Sequence, residues 1–391
     1  MKSLRALLAG IALAVTAAVP SSAHGCHVPA PAGSPSECGL ATVASVEVSE
    51  AAGAGRVEVH GKIAAVLRRD EGIVSLVDVS KPGRPKVLGS YDGGLDGQRA
   101  GKSLDGDLAF SSDGQWLFYA RQSTQMSADG LHVVDVSDPS APTLRFYQPE
   151  GGTFRVDVYE TETATYVITL DAIAGLVVNR FDPATGALTT VFSDPEPASR
   201  RVGGPASAGI VIDRKDPKLG IPVLYTSSGT TGLQVYDLST PDQPVLLGSW
   251  AETGLAEIEL VRTKKSRTVY AATEYWFDET LEPEVVVLDA KDLGAIKEKK
   301  RFSLNVPAAE EFRLQGMAIN KGRLYAAHSS LGLVGFDLKG HPVAYLSDLG
   351  ERNQSSTELS ATYAYDVEAS KGLLYVTDAA SGTLTLARRT R

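Results

Sequence analysis

The chain has 391 residues, of which 43% are hydrophobic and 22% charged, an ordinary globular balance that excludes a wholly disordered protein. Its formal net charge of −9 argues against nucleic acid or an anionic membrane as a partner, because gripping phosphates takes a basic surface. Two cysteines are too few for a disulfide-built scaffold.

Residues 1–23 have the pattern of a secretory signal peptide. Lys2 and Arg5 precede an apolar run from Leu7 to Val19, and Ser21-Ser22-Ala23 supplies small residues for cleavage. The expectation is a soluble protein secreted to the periplasm or the extracellular space. No later segment approaches the ~18 apolar residues of a membrane span. Residues 24–42 are rich in Pro, Ala, Gly and Ser and hold both cysteines, Cys26 and Cys38. An oxidising compartment favours a disulfide between them. Two other readings stay open. Cys26 could be acylated, although Ala23-His24-Gly25 is a poor lead-in. His24, Cys26 and His27 could bind copper(II).

From residue 43 onward the chain is punctuated by short apolar runs and turn clusters. A strand over residues 43–48 stands alone before the first repeat, which starts near Arg56. The clearest unit lies between Gly101 and Gln148. Its four runs are residues 108–110, 116–120, 131–136 and 144–147, broken by Ser112-Asp113-Gly114 and by a Pro139/Pro142 cluster. Third strands of this kind recur at intervals of about fifty residues, a period that marks a repeat architecture. They end at or near Asp78, Asp135, Asp182, Asp237, Asp289, Asp337 and Ala387. Four strands per unit and seven units make an all-β, seven-bladed β-propeller over residues 43–391. The last unit stops after its third strand. The spare strand at 43–48 is therefore expected to complete it and close the ring, which removes two open sheet edges.

The recurrent Asp residues and prolines read as structural. A short carboxylate at a strand end bonds amides of the following turn, and Pro82, Pro85, Pro139, Pro142, Pro241 and Pro244 stop strands. The basic clusters are short: Lys297, Lys299, Lys300 and Arg301 in one, Arg262, Lys264, Lys265 and Arg267 in the other. Both read as solvated turns or strand edges.

The phrases Ser75-Leu76-Val77-Asp78-Val79-Ser80 and His132-Val133-Val134-Asp135-Val136-Ser137-Asp138-Pro139 resemble the LVIVD-repeat family of secreted β-propellers. Leu374-Tyr375-Val376-Thr377-Asp378 is similar to the YVTN-type repeats of surface-layer propellers. The resemblance implies the fold over most of residues 43–391. It implies no shared catalytic motif, so no site residue follows from it.

Candidate chemistry lies where the copies differ. Second strands end at Arg69, Arg121, Asp171, Ser228, Glu274, His328 and Asp378, and innermost strands begin near Asp107, Asp157, Glu257 and Asp366. Together they predict an acidic channel mouth. Glu257, Glu274, His328, Asp366 and Asp378 are its binding candidates, and a divalent cation is the cofactor such a mouth would take. Trp276, within Tyr275-Trp276-Phe277, is a further contact candidate. His60, His132 and His341 read as ordinary. Gly97 to Ser103 is one residue short of a phosphate-binding loop. Two functions follow. The first is a non-catalytic binding scaffold for a protein, glycan or cell-envelope component. The second is a metal-dependent secreted hydrolase, lyase or lactonase.

Overall fold

A computed structural model of the chain describes residues 38–50, 53–94, 103–123, 130–149, 153–171, 174–195, 208–229, 231–252, 254–273, 284–303, 314–328, 331–346, 349 and 363–390. Among these, the strands form seven four-stranded sheets, all antiparallel. The one helical element described is the short 3-10 turn Leu293–Ala295. No described helix is long and apolar enough to cross a membrane.

In six sheets spatial order equals chain order, innermost strand first. Blade 2 runs Ser103–Phe110, Trp116–Ser123, Gly130–Asp135 and Thr143–Pro149, matching the four expected runs. Each innermost strand packs on the next, and the last, Ala364–Ser370, packs on the first, Ala54–His60, so the sheets form a closed ring. Seven apolar clusters fill the seams, one for each pair of neighbouring blades. The core is thus a circle of interfaces between sheets, built from β-branched and aromatic side chains that suit a pleated surface.

Blade 7 confirms the expected closure. Its chain-order strands are Ala364–Ser370, Leu373–Asp378 and Thr383–Arg389, and its fourth is Leu40–Glu47. The register runs from Leu40↔Arg389 to Glu47↔Thr383, with a bulge between Thr42 and Ala44. This strand begins three residues before the expected 43–48. Leu40 accounts for the difference: it is buried in the seam between blades 6 and 7, beside Leu346, Leu349 and Ala387. Gly39, at φ 67, makes the approach, because a Cβ there would lie 3.1 Å from the Cβ of Ala344. Cys38 then pairs with Tyr345 in both directions, at 3.0 and 2.9 Å, which fastens the closing strand to blade 6 as well.

The recurrent aspartates do the turn work expected of them. Asp78, Asp135, Asp182, Asp237, Asp289 and Asp337 each accept the amide N–H two residues on. Hydrogen bonds from Ser80 and Ser137 hold the carboxyls of Asp78 and Asp135 below the usual range. His132 is buried against Tyr91, Oη to Nδ1 at 2.8 Å, and His341 pairs with Asp337 at 3.0 Å.

The closing strand makes a direct test. Leu40→Ala removes a buried side chain from the blade 6–7 seam and is expected to cost about 3 kcal/mol, read as a lower denaturant midpoint. A change within error would mean that the strand contributes little to closure.

Candidate functional site

The seven innermost strands surround a central channel of about 250 Å³. Each places one apolar side chain at the same level: Val57, Leu108, Val156, Ile210, Ile258, Met317 and Val367 line up around the ring. The residues flanking that level lie on the opposite face of the strand, since side chains alternate. In blades 1, 3, 5 and 7 both flanking residues are charged, as Arg56-Val57-Glu58, Arg155-Val156-Asp157, Glu257-Ile258-Glu259 and Asp366-Val367-Glu368. Blade 2 adds Asp107.

The level formed by Arg56, Asp107, Arg155, Glu257 and Asp366 is a bonded network. Glu257 Oε1 accepts from Arg56 Nη2 at 2.6 Å and from Arg155 Nη2 at 2.8 Å. Arg56 Nη1 lies 3.5 Å from Asp366 Oδ1. Two carboxylates also receive backbone N–H groups of the following blade: Asp107 that of Val156 and Asp366 that of Val57, both at 3.0 Å. Gly316 leaves room for Asp366, because a Cβ there would meet Asp366 Oδ1 at 2.0 Å. These polar groups join blades 1, 2, 3, 5 and 7 across the channel, and each buried charge has a partner of the opposite sign or a donor.

The next level holds Glu58, Asp157, Glu259 and Glu368, with Ala109, Val211 and Ala318 in the remaining blades. Among the described innermost-strand residues at this level none is cationic; Arg214 of the blade 4 hairpin, which donates to Val158 O at 2.9 Å, is the cation whose charge opposes the rise of Asp157. Burial, the largest cause, pushes Asp157 up to about 6 and Glu368, which also feels Asp366, up to about 8. Glu58 and Glu259 rise through burial and then through Glu368. In the network above, burial lifts Asp107 to about 7 against the pull of Arg155 and Arg56, and Asp366 also rises. Glu368 therefore keeps its proton at neutral pH, and burial moves Glu58, Asp107, Asp157, Glu259 and Asp366 in the same direction. Among the described residues, no group of three His, Cys, Asp or Glu side chains is arranged to hold a metal ion.

The six sequence candidates divide three ways. Glu257 and Asp366 come together in the channel through Arg56. His328 and Asp378 lie outside the channel lining, buried at the ends of the second strands Arg323–His328 and Leu373–Asp378. Burial drops the His328 imidazole to about 3, so it is neutral. Asp378 organises the blade 7 turns, accepting from the amides of Tyr363, Ala380 and Ser381. Glu274 and Trp276 fall outside the described residues. Sequence reasoning missed Arg56, Arg155, Glu58, Glu259 and Glu368. The signal was the charged–apolar–charged triplet, repeated in alternate blades.

With the ring and its channel in view, the comparisons are informative about fold. Residues 126–147 match the LVIVD repeat family. The chain carries an LVIVD repeat. The match covers the third strand of blade 2 and most of its outer strand, where the sequence phrase is strongest. No match is found among curated proteins. The chain is similar to BamB from Moraxella catarrhalis in its crystal structure, at 12% identity and a TM-score of 0.52, covering 90% of this chain and 98% of that one. It is similar also to Sqt1 of Saccharomyces cerevisiae, at 10% identity and a TM-score of 0.55, covering 91% of this chain and 100% of that one. With 1027 solved chains matching, likeness of this kind speaks to the propeller alone.

The channel carboxyls set a pH dependence. Folding raises their pKa values, so between about pH 4 and 8 the folded chain holds protons that the unfolded chain has released, and stability falls as pH rises through about 6 to 8. The melting temperature is expected to be lower near pH 8.5 than near pH 5.5, with Glu368→Gln flattening the difference. A melting temperature that rises over this range would contradict the assignment.

Proposed function

We propose that this chain is a secreted, non-catalytic binding scaffold whose ligand face is built from the connections at one end of the strands. The observation that carries the reading is the unequal length of those connections. The strand ends on one side flank intervals of ten residues or more, at 195–207, 274–283, 304–313 and 347–363. On the other, hairpins as tight as Gly61-Lys62, Lys321-Gly322 and Lys371-Gly372 join innermost to second strands. Long connections on a rigid frame are where binding residues concentrate. The carboxylates of the Arg56–Glu257–Asp366 network already hold blades together, which also favours binding over catalysis.

Within the long connections, Glu274-Tyr275-Trp276-Phe277 combines aromatic rings with a carboxylate, a composition suited to a protein, glycan or cell-envelope ligand. Trp276→Ala is expected to weaken retention by cell-envelope fractions about tenfold or more, with melting unchanged. Equal retention would remove this segment from the ligand face.

The signal pattern of residues 1–23 supports export, and the oxidising compartment that export implies supports a bond between Cys26, which lies outside the described residues, and Cys38. Intact mass of the mature protein should correspond to a chain starting at His24, lighter than its reduced form by two hydrogens. An added acyl mass would instead favour lipidation of Cys26.

A further inference from the structure

The short-turn face carries a charge pattern that the net charge conceals. The hairpins joining innermost to second strands surround the channel on this face. In blades 4, 5, 6, 7 and 1, which are consecutive around the ring, these turns are basic. Blade 4 contributes Arg214, Lys215 and Lys218, and blade 5 contributes Lys264 and Lys265. Lys321, Lys371 and Lys62 follow in blades 6, 7 and 1, and all eight side chains are exposed. The acids within these inner hairpins are matched: Asp213 pairs with Arg262 at 2.7 Å, and Asp216 with Arg267. In blades 2 and 3 the same turns present Asp113 and Glu162 instead. Turns between third and outer strands are mixed: Lys81 and Arg84 in blade 1 and Lys339 in blade 6 stand beside Asp78 and Asp337, while Asp242 in blade 4, Asp289 and Asp292 in blade 5, Asp138 in blade 2 and Asp182 in blade 3 are acidic, so the basic arc belongs to the inner hairpins.

Two of these lysines are tied to the backbone of a neighbouring blade. Lys371 Nζ donates to Gly61 O of blade 1 at 3.1 Å, and Lys218 Nζ to Lys291 O of blade 5 at 2.9 Å. Lys321 and Lys371 occupy left-handed backbone positions, φ 49 each, where glycine or asparagine is the usual occupant. Between blades 6 and 7 lies a depression of about 300 Å³ lined by Lys321, Tyr325, Leu374 and Arg389, with cations at its rim and apolar surface among its walls. Inside the channel, Glu58, Asp157, Glu259 and Glu368 come closest to this face; burial favours the neutral form of the three glutamates in blades 1, 5 and 7, and Asp157, raised less, stands in blade 3, outside the arc.

We infer that this basic arc is a docking surface for a membrane bearing anionic phospholipid headgroups. The chemistry selects this partner over other polyanions. The charges are mostly lysines, compact point charges that attract phosphate without bidentate geometry. They are spread over five turns at one end of a disc, which suits a flat surface. The five basic hairpins contain no aromatic residue on which bases or sugars would stack. Leu219, 41% exposed beside Lys218, offers an apolar contact to the interface. Local charge acts over about a Debye length, ~8–10 Å at ordinary ionic strength, so the acids of blades 2 and 3 and of the far face do not cancel it. The ligand face of the proposed scaffold would then point away from the bilayer. This inference does not depend on what that face binds.

Sedimentation of the full mature chain with vesicles tests it. Binding is expected to phosphatidylcholine vesicles containing phosphatidylglycerol and not to phosphatidylcholine alone. It should be lost in about 1 M salt, where the Debye length is ~3 Å. Lys264→Glu with Lys265→Glu should weaken binding at least about tenfold, with Lys62→Gln and Lys215→Gln as a second, charge-neutralising pair if the first fails to fold. Equal binding to neutral vesicles, no binding to anionic ones, or full binding by either folded variant would overturn it. Retention on heparin without vesicle binding would also overturn it, because the partner would then be a soluble polyanion.

Discussion

A strand contributed from the other end of the chain closes this ring. Seven twisted sheets around an axis have no common core; each buries its faces only against two neighbours. The seam clusters hold only while every blade has two partners, so blade 7 must be complete for the circle to be complete. Leu40–Glu47 supplies its outer strand, pairs with Thr383–Arg389, and sets Leu40 into the seam with blade 6. Covering the edge of Thr383–Arg389 also removes a row of unpaired backbone groups that would template aggregation.

Around the axis, the same closure brings charge together. Innermost strands that alternate charged and apolar residues deliver carboxylates and guanidinium groups to one channel. At one level the opposite signs neutralise, with Glu257 between Arg56 and Arg155 and Asp366 tied to blade 1 through Arg56 and Val57. At the next level Glu58, Glu259 and Glu368 have no cation beside them on the innermost strands and burial raises all three, whereas Asp157 feels Arg214 and rises less. An unpaired buried carboxylate is costly, so the proton stays. Axial charge is therefore a structural element whose state follows pH.

The two ends of the disc differ in kind. The strand ends that flank the longest intervals lie on one side, and on the other the hairpins between innermost and second strands divide into a basic sector of five blades and an acidic sector of two. A net charge of −9 says nothing of this division, because a local field depends on where charges sit. The basic hairpin Thr263–Ser266 reads from sequence as a solvated turn, and in isolation it is one. Its neighbours in the ring, Lys215 and Lys321, lie about fifty residues away on either side.

The period of the LVIVD-like phrase and the β-branched composition of its strands were enough to determine the all-β class, seven blades and a strand borrowed for closure, since local pattern dictates local strands and their count. The turn role of Asp78 or Asp135 was equally legible, because an Asx turn involves residues two apart. Only the tertiary structure decided which charges meet. Arg56, Glu257 and Asp366 are separated by most of the chain, and their pairing depends on the register of three innermost strands around a closed ring. His328 and Asp378 share a strand-end position with the expected mouth residues, yet lie buried beyond the channel lining. Strand-end position is written in the repeat, whereas the surroundings of a side chain depend on the neighbouring blade that packs over it.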